Sequence, residues 1–408
     1  MSIEVTIDRL GHQGDGIAAG PLFAPRTLPG EVVSGIVQGQ RLEELRIVTP
    51  SPDRVQPPCR HYRGCGGCQL QHASDGFVAA WKEDFVRSAL AAQGLEIPFL
   101  PMVTSPANSR RRAVLAVRRT KKGALAGFHG RASGVITEIP DCHLLHPDLL
   151  AGLPLAEALA LAGASRKGAL DVTLTRSLAG LDVAVEGGKP LDGNLQIALA
   201  QLAERHDLAR IAWAGETVAM RRPAAQRFGR AEVVPPPGAF LQATDAGEAA
   251  LRADVLDIVG PARRVADLFA GCGTFALPLA EGAEVHAVEG SAEMVDALDR
   301  GWRAAPGLKR VTGEARDLFR RPLLADELAR FDAVVIDPPR AGAEAQMAEL
   351  ARARVPVIAH VSCNPLTFAR DARQLCEAGY RLDRLRVVDQ FRWSVHTELV
   401  AGFRLGAG

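Results

Sequence analysis

Apolar and polar positions change rhythm twice along this chain. From Ile3 to Val48, short alternating runs fall at Ile3–Leu10, Gly16–Phe23, Glu31–Gln38 and Leu42–Val48, punctuated by Gly14-Asp15-Gly16 and Leu28-Pro29-Gly30. Period-two alternation between glycine turns predicts four strands of a small β-barrel. Ser51-Pro52-Asp53 and Pro57-Pro58 form a linker, followed by a cysteine-rich loop and a helix with Trp81, Phe85 and Leu90 near one face. Between about 100 and 245, strand-like runs such as Ala113–Arg118, Leu170–Leu174 and Leu181–Val185 mix with helical patterns near 147–163 and 193–205. From about 246 the segments alternate in type. Strand-like runs at Arg264–Phe269, Glu284–Glu289, Arg310–Val311, Phe331–Ile336 and Val355–Val361 are separated by helical ones, and two further runs end the chain at Arg384–Val388 and Glu398–Phe403. This alternation predicts a doubly wound, mostly parallel α/β sheet with its ligand outside the carboxyl ends of the strands. The expected division is a barrel over 1–53, a central α+β domain over 54–245, and the wound sheet over 246–408.

Composition narrows the class without naming a function. The chain has 408 residues, of which 47% are hydrophobic, enough for two or three cores, and its formal charge of +1 excludes a bulk-basic nucleic-acid binder. No apolar run approaches the ~20 residues of a membrane span. The start, Met1-Ser2-Ile3-Glu4-Val5, alternates and carries an early acid, unlike a targeting peptide. A cytoplasmic, membrane-free monomer is the expectation, with its seven cysteines as thiols, ligands or catalytic groups.

Ser362-Cys363-Asn364-Pro365 follows a mostly apolar run, and Ser362 lies 25 residues after Asp337 of Asp337-Pro338-Pro339-Arg340. A cysteine at the end of a buried strand is placed to act as a nucleophile. Asp267-Leu268-Phe269-Ala270-Gly271-Cys272-Gly273-Thr274 closes the first strand of the wound sheet, and Glu289 ends the next, 18 residues after Gly271. That spacing suits a carboxylate on ribose hydroxyls, while the third glycine of a pyrophosphate loop is missing, as position 276 is Ala. The loop therefore points to S-adenosylmethionine over a dinucleotide. Carbon 5 of uracil becomes reactive toward a sulfonium methyl when a thiolate adds to carbon 6, and a base must then remove the carbon-5 proton. Cys363 supplies the first group. Glu398 in His396-Thr397-Glu398 could supply the second, since an antiparallel last strand would start on the same edge.

Two further features lie outside the sheet. Cys59-x5-Cys65-x2-Cys68, with Cys142 74 positions later, suits zinc or an iron–sulfur cluster. No acid occurs from Ile97 to Thr137, where Arg110, Arg111, Arg112, Arg118, Arg119, Lys121, Lys122 and Arg131 form a basic stretch suited to RNA phosphate.

With these residues in hand, the chain resembles the RNA uracil-5-methyltransferases that use S-adenosylmethionine. The start, Ile7 to Gly16 with Leu28-Pro29-Gly30-Glu31, looks like their RNA-binding TRAM barrel. The resemblance implies a class I methyltransferase sheet, a [4Fe-4S] cluster on Cys59, Cys65, Cys68 and Cys142, and cofactor contacts from Gln242 (in Phe240-Leu241-Gln242), Phe269, Thr274, Glu289 and Asp337. It implies Cys363 as nucleophile and Glu398 as base. The barrel and cysteine loop are closer to the ribosomal RNA branch, so 23S ribosomal RNA is the expected substrate and transfer RNA the alternative. Phe391 is followed by Arg392-Trp393 where the family has proline, which bears on substrate docking. Rival readings are methylation of cytosine or an exocyclic amine, disfavoured by the lone Cys363 and by Arg340, and a non-catalytic iron–sulfur RNA-binding protein, which would have lost Cys363 or Glu398.

Overall fold

The computed structural model describes residues 2–165 and 168–406. Five strands, β1 (Ser2–Leu10), β2 (Asp15–Ala18), β3 (Leu22–Pro25), β4 (Val32–Gln38) and β5 (Arg41–Thr49), close a barrel in the order β1-β2-β3-β5-β4. The run Gly16–Phe23 expected as one strand is two, because Gly20 takes a φ of +97° and turns the chain back. The interior is small, filled by Ile7, Ala18, Ala24, Val33 and Leu42. Buried Glu31 ties barrel to linker by accepting from the backbone N–H of Leu28 (2.9 Å) and Ser51 (3.2 Å) and from Arg54 (2.7 Å).

The helix α1 (Asp75–Ala91) starts at Ser74, whose hydroxyl accepts from the Phe77 N–H. Trp81 and Phe85 stack at 6.1 Å. Its buried side carries Val86 and Leu90, which join the core of the last sheet, and Lys82. The following strand, β6 (Leu100–Thr104), also joins that sheet, as an edge parallel to its neighbour.

The central seven-stranded sheet contains β7 (Arg112–Arg119), β8 (Ala124–His129), β9 (Ile136–Glu138), β10 (Ala169–Ser177), β11 (Gly180–Glu186), β12 (Arg210–Trp213) and β13 (Glu216–Met220), ordered β13-β12-β11-β10-β7-β8-β9. Against it pack α2 (Pro147–Ala151), α3 (Leu153–Gly163) and α4 (Gly193–Arg205). The helical pattern near 147–163 is two helices meeting at Gly152. A hairpin, β14 (Gln226–Phe228) and β15 (Ala231–Val233), leads onward.

The last unit runs α5 (Asp245–Val259), β16 (Arg264–Leu268), α6 (Ala276–Leu279), β17 (Glu284–Glu289), α7 (Ala292–Ala304), β18 (Val311–Ala315), α8 (Ala325–Leu328), β19 (Ala333–Ile336), α9 (Glu344–Ala353), β20 (Val357–Ser362), α10 (Pro365–Glu377), β21 (Tyr380–Asp389) and β22 (Glu398–Leu405). The sheet order is β18-β17-β16-β19-β20-β22-β21-β6. The first five strands are parallel, and β22 inserts antiparallel between β20 and β21. Cores lie on both faces, around Leu268, Ile336 and Phe368 on one and Val265, Val335 and Ala359 on the other. That double burial explains the nearly unbroken apolar runs of these strands. Strand order reverses between β16 and β19, which opens a crevice at their carboxyl ends.

Candidate active site

Two loops frame that crevice. After β16 the backbone passes through positive φ at Phe269 (62°), Gly271 (54°) and Gly273 (95°). A Cβ at Gly273 would sit 3.0 Å from Leu277, so that position is closed to other residues on space as well as on φ. Glu289, at the end of β17, accepts from the N–H of Gly271 and of Ser291, each at 3.0 Å. Its carboxylate is thus aimed by the glycine loop. The Phe269 ring lies 5.4 Å from Phe319, which is half exposed. Thr274 is half-buried in the loop.

Negative charge accumulates beneath this loop. Asp267 is fully buried, and among the described residues neither carboxylate oxygen meets a hydrogen-bond donor at bonding geometry, although the Ala276 N–H lies nearby. Burial, then Asp337 and Glu289, push its pKa well above the usual carboxylate value. Asp337, at the end of β19, keeps some open surface yet is enclosed by protein, and that enclosure pushes it up to about 7. A carboxylate pair of this kind is matched by a ligand bearing positive charge. S-adenosylmethionine carries a sulfonium and an ammonium, so the residues present fit it.

The Cys363 corner stands at the end of β20. Asn364 caps α10 by accepting from the Leu366 N–H (3.1 Å), with Pro365 in the first turn. The Asn364 amide also donates to the Arg340 carbonyl (2.9 Å), which ties the Asp-Pro-Pro-Arg loop to the Cys363 turn. In the antiparallel pair β20–β22 the last matched residues are Ser362 and Leu399. Cys363 is the next residue after the paired Ser362 and Glu398 the one before the paired Leu399, and Glu398 lies near enough to act on the Cys363 thiol. Glu398 is buried, and its pKa is pushed up to about 8 by burial and by Asp337, against the opposing pull of a Gln390 hydrogen bond and Arg340. Cys363 is half-buried. Burial, Glu398 and Asp337 push its thiol up to about 11, and Arg340 pulls the other way.

Gln242 is buried beside both carboxylates, with its Nε2 3.4 Å from Asp337 Oδ2. Gln390 bridges to it and to Glu398, and was not singled out from the sequence. The available signal was two polar residues, Asp389-Gln390, closing the apolar end of β21. Asp267 and Phe319 were likewise passed over as site residues.

The Gln390 loop is held from outside the sheet. Lys82 Nζ donates to Asp389 Oδ1 (2.7 Å) and to the Phe391 carbonyl (3.2 Å), and both charged side chains are buried. The N–H groups of Gln69 (2.8 Å) and Leu70 (2.9 Å) donate to the Trp393 carbonyl. Arg392 pairs with Asp75 at 2.6 Å.

Gln69 directly follows the cysteine loop. All four cysteines there are free thiols, Cys59, Cys65 and Cys68 half-buried and Cys142 buried. The Gly67 N–H donates to Cys65 Sγ (3.4 Å) and the Leu144 N–H to Cys142 Sγ (3.5 Å). Gly66 packs where a Cβ would fall 2.7 Å from the His129 carbonyl oxygen. Burial, followed by the neighbouring cysteines, raises the thiols of Cys65 and Cys68, the latter to about 12, and Cys142 is raised by burial and by Cys59. The four sulfurs therefore share one neighbourhood. They do not form a closed ligand set: among the described residues no group of three or more His, Cys, Asp or Glu is placed to hold a metal ion.

The basic stretch is divided by the fold. Arg111 is buried against Asp245 and Glu248, Arg112 donates to the Gly238 carbonyl, and Arg131 pairs with Asp15. Arg110 lies over the Phe391 ring at 5.8 Å. Arg118, Arg119, Lys121 and Lys122 are exposed on the β7–β8 hairpin. No helix among the described residues is long and apolar enough to cross a membrane.

The sequence pattern of the tRNA (Uracil-5-)-methyltransferase family matches residues 238–405. An uncharacterized RNA methyltransferase of Rhizobium meliloti is 47% identical over 97% of this chain and 98% of its own length. A 23S rRNA (uracil(1939)-C(5))-methyltransferase of Halomonas elongata is 36% identical over 97% of this chain and 88% of its own. Among solved structures, the Pyrococcus abyssi tRNA (uracil-54, C5)-methyltransferase in complex with S-adenosyl-L-homocysteine superposes with a TM-score of 0.75, covering 98% of this chain and 99% of that one at 23% identity. That last likeness is one of fold.

Proposed function

This chain belongs to the family of S-adenosylmethionine-dependent RNA uracil-5-methyltransferases, and from that premise we propose that it forms 5-methyluridine in 23S ribosomal RNA, with Cys363 as nucleophile and Glu398 as base. The observation that supports this reading is the antiparallel β20–β22 pairing, which ends at Ser362 and Leu399 and so brings their neighbours Cys363 and Glu398 to the same end of the sheet, with the Asp337 loop tied to that turn. The Halomonas relative supports the ribosomal substrate. Transfer RNA is the alternative.

The target uracil leaves its stack to reach the recessed thiol. The Cys363 thiolate adds to carbon 6, and the electron pair of the carbon 5–carbon 6 double bond moves toward the carbon-4 carbonyl as an enolate. Carbon 5 is then nucleophilic toward the methyl group that S-adenosylmethionine, when bound, would supply, its S–C electron pair staying on the sulfur. Glu398 removes the carbon-5 proton, the double bond re-forms and Cys363 departs as thiolate. Burial and Asp337 raise the Glu398 carboxyl to about 8, so its ionised fraction, which accepts the proton, grows as pH rises through that range. S-adenosylmethionine, when bound, supplies the methyl electrophile, and Gln242, Phe269, Thr274, Glu289 and Asp337 are the residues we assign to hold it. Positive charge beside Asp267 and Asp337 relieves their repulsion and favours ionised Cys363.

We assign Cys59, Cys65, Cys68 and Cys142 to a [4Fe-4S] cluster. The assignment rests on the spacing Cys59-x5-Cys65-x2-Cys68 with Cys142 and on all four being free thiols, while among the described residues their side chains as placed do not form a closed ligand set. The cluster would fix the loop that carries Gln69 and Leu70. The barrel over 1–53 and the β7–β8 hairpin are assigned to RNA.

The test uses 5-fluorouridine-substituted 23S fragments and transfer RNA with S-adenosylmethionine. Glu398 cannot remove fluorine as it removes a proton, so the covalent adduct persists. An adduct on the ribosomal fragment that disappears in Cys363→Ala is expected. An adduct that survives in Cys363→Ala overturns the nucleophile, and one confined to transfer RNA overturns the substrate. Iron and sulfide analysis of anaerobically purified protein tests the cluster, and a zinc-loaded, colourless protein refutes it.

A further inference from the structure

Gln390 sits where three functional groups meet. Its Oε1 accepts from the backbone N–H of Ala243 at 2.8 Å, and a backbone N–H can only donate, so the orientation of the amide is fixed. The Nε2 end must then face both remaining partners. It donates to Gln242 Oε1 at 2.6 Å and to Glu398 Oε2 at 3.1 Å. With its own oxygen occupied, the Gln242 amide turns its Nε2 toward Asp337 Oδ2. Gln390 is 3% exposed and all its polar capacity is spent inside the site.

We propose that Gln390 is a positioning residue for the base: it holds Glu398 as a carboxylate with Oε1 free for the carbon-5 proton, and it locks that base to the Gln242–Asp337 edge assigned to the methyl donor. The inference rests on the reading of Glu398 as base. A hydrogen bond donated to the charged form favours that form, so the amide opposes the effect of burial on Glu398. Every donor facing Glu398 Oε2 also removes one way for the carboxylate to rotate. Gln390 is in turn kept in place by the Lys82–Asp389 pair one residue earlier. The consequence is specific to one step. Loss of the amide slows proton removal and sulfur release, and leaves thiolate addition and methyl transfer largely intact.

The test compares wild type, Gln390→Met and Glu398→Gln on unmodified RNA with S-adenosylmethionine, in single turnover across pH 6–10. Gln390→Met is expected to accumulate the methylated covalent RNA adduct, to release product roughly tenfold or more slowly, and to move the pH midpoint of release upward. Gln390→Glu keeps the shape and the acceptor for Ala243 and adds a like charge, so it should move the midpoint further the same way. It serves as the second reading should the Met variant fold poorly. A merely structural role would lower adduct and product together with the midpoint unmoved, and that result overturns the proposal. If Glu398→Gln releases product like wild type, the reading of the base fails instead, whatever Gln390 does.

Discussion

The Cys363 corner and the cysteine loop each keep thiols protonated, for different reasons. At Cys363 burial is joined by the carboxylates Glu398 and Asp337, with Arg340 opposing them. At Cys68 burial is joined by Cys142, Cys65 and Cys59, so the charge that would be repelled is other sulfur. The first arrangement is relieved by a cation brought to the carboxylates, or by passing a proton to one of them. The second is relieved by a cation placed among the sulfurs themselves. The same protonated state thus has two different electrostatic origins, carboxylates at one thiol and other sulfurs at the other.

The largest effect should separate the two regions. Cys363→Ser should lower turnover on the order of 10³-fold or more while the thermal midpoint stays close to wild type. Cys68→Ser should do the reverse, with the melting temperature lowered, any iron bound under the proposed cluster assignment lost, and adduct formation on 5-fluorouridine RNA still detectable in the folded fraction. Equal loss of activity with unchanged iron in both would erase the distinction.

The next prediction probes the joint between them. Lys82→Met strands the buried Asp389 and should destabilise the protein by about 3–5 kcal/mol in urea unfolding. Adding Asp389→Asn should restore much of that, because the stranded charge is then gone. No change in Lys82→Met would mean the loop bearing Gln390 is not held from α1.

The smallest effect concerns the strand behind Cys363. His360 is fully buried in β20, both ring nitrogens lack a hydrogen-bond partner among the described residues, and burial pushes its pKa down to about 3. The unfolded imidazole, near 6.5, takes up a proton that the folded one refuses. Stability is therefore lost as pH falls below about 6.5, by roughly 2 kcal/mol at pH 5. His360→Leu should cancel that loss in denaturant unfolding at pH 5 and change little at pH 7.5. A variant with the same pH slope as wild type would place the sensitivity elsewhere.

Much of this was legible in sequence because the features are local. Alternation marked the barrel, and only the Gly20 turn split one expected strand. The glycine loop, Glu289 and the Ser-Cys-Asn-Pro turn announced themselves by spacing. Gln390 did not, since its partners Ala243, Gln242 and Glu398 come from separate parts of the chain and nothing local marks a buried amide as shared. The basic stretch was only partly legible for a related reason. Charge counted along the chain says nothing of which arginines are already paired, and Arg111, Arg112 and Arg131 are spent on the fold's own acceptors. Lys82 is likewise unmarked in the sequence, because its partner Asp389 comes from the far end of the chain.

The sequence alone determined the strand and helix periods, the wound sheet, and which cysteine ends a buried strand, since each is fixed by neighbours within a few residues. Only the tertiary structure decided that Glu398 lies near Cys363, that Gln390 donates to that carboxylate, and that α1 and the residues after the cysteine loop grip the same segment. Those outcomes depend on the antiparallel insertion of β22 between β20 and β21, and a sheet order is set by packing across the whole chain.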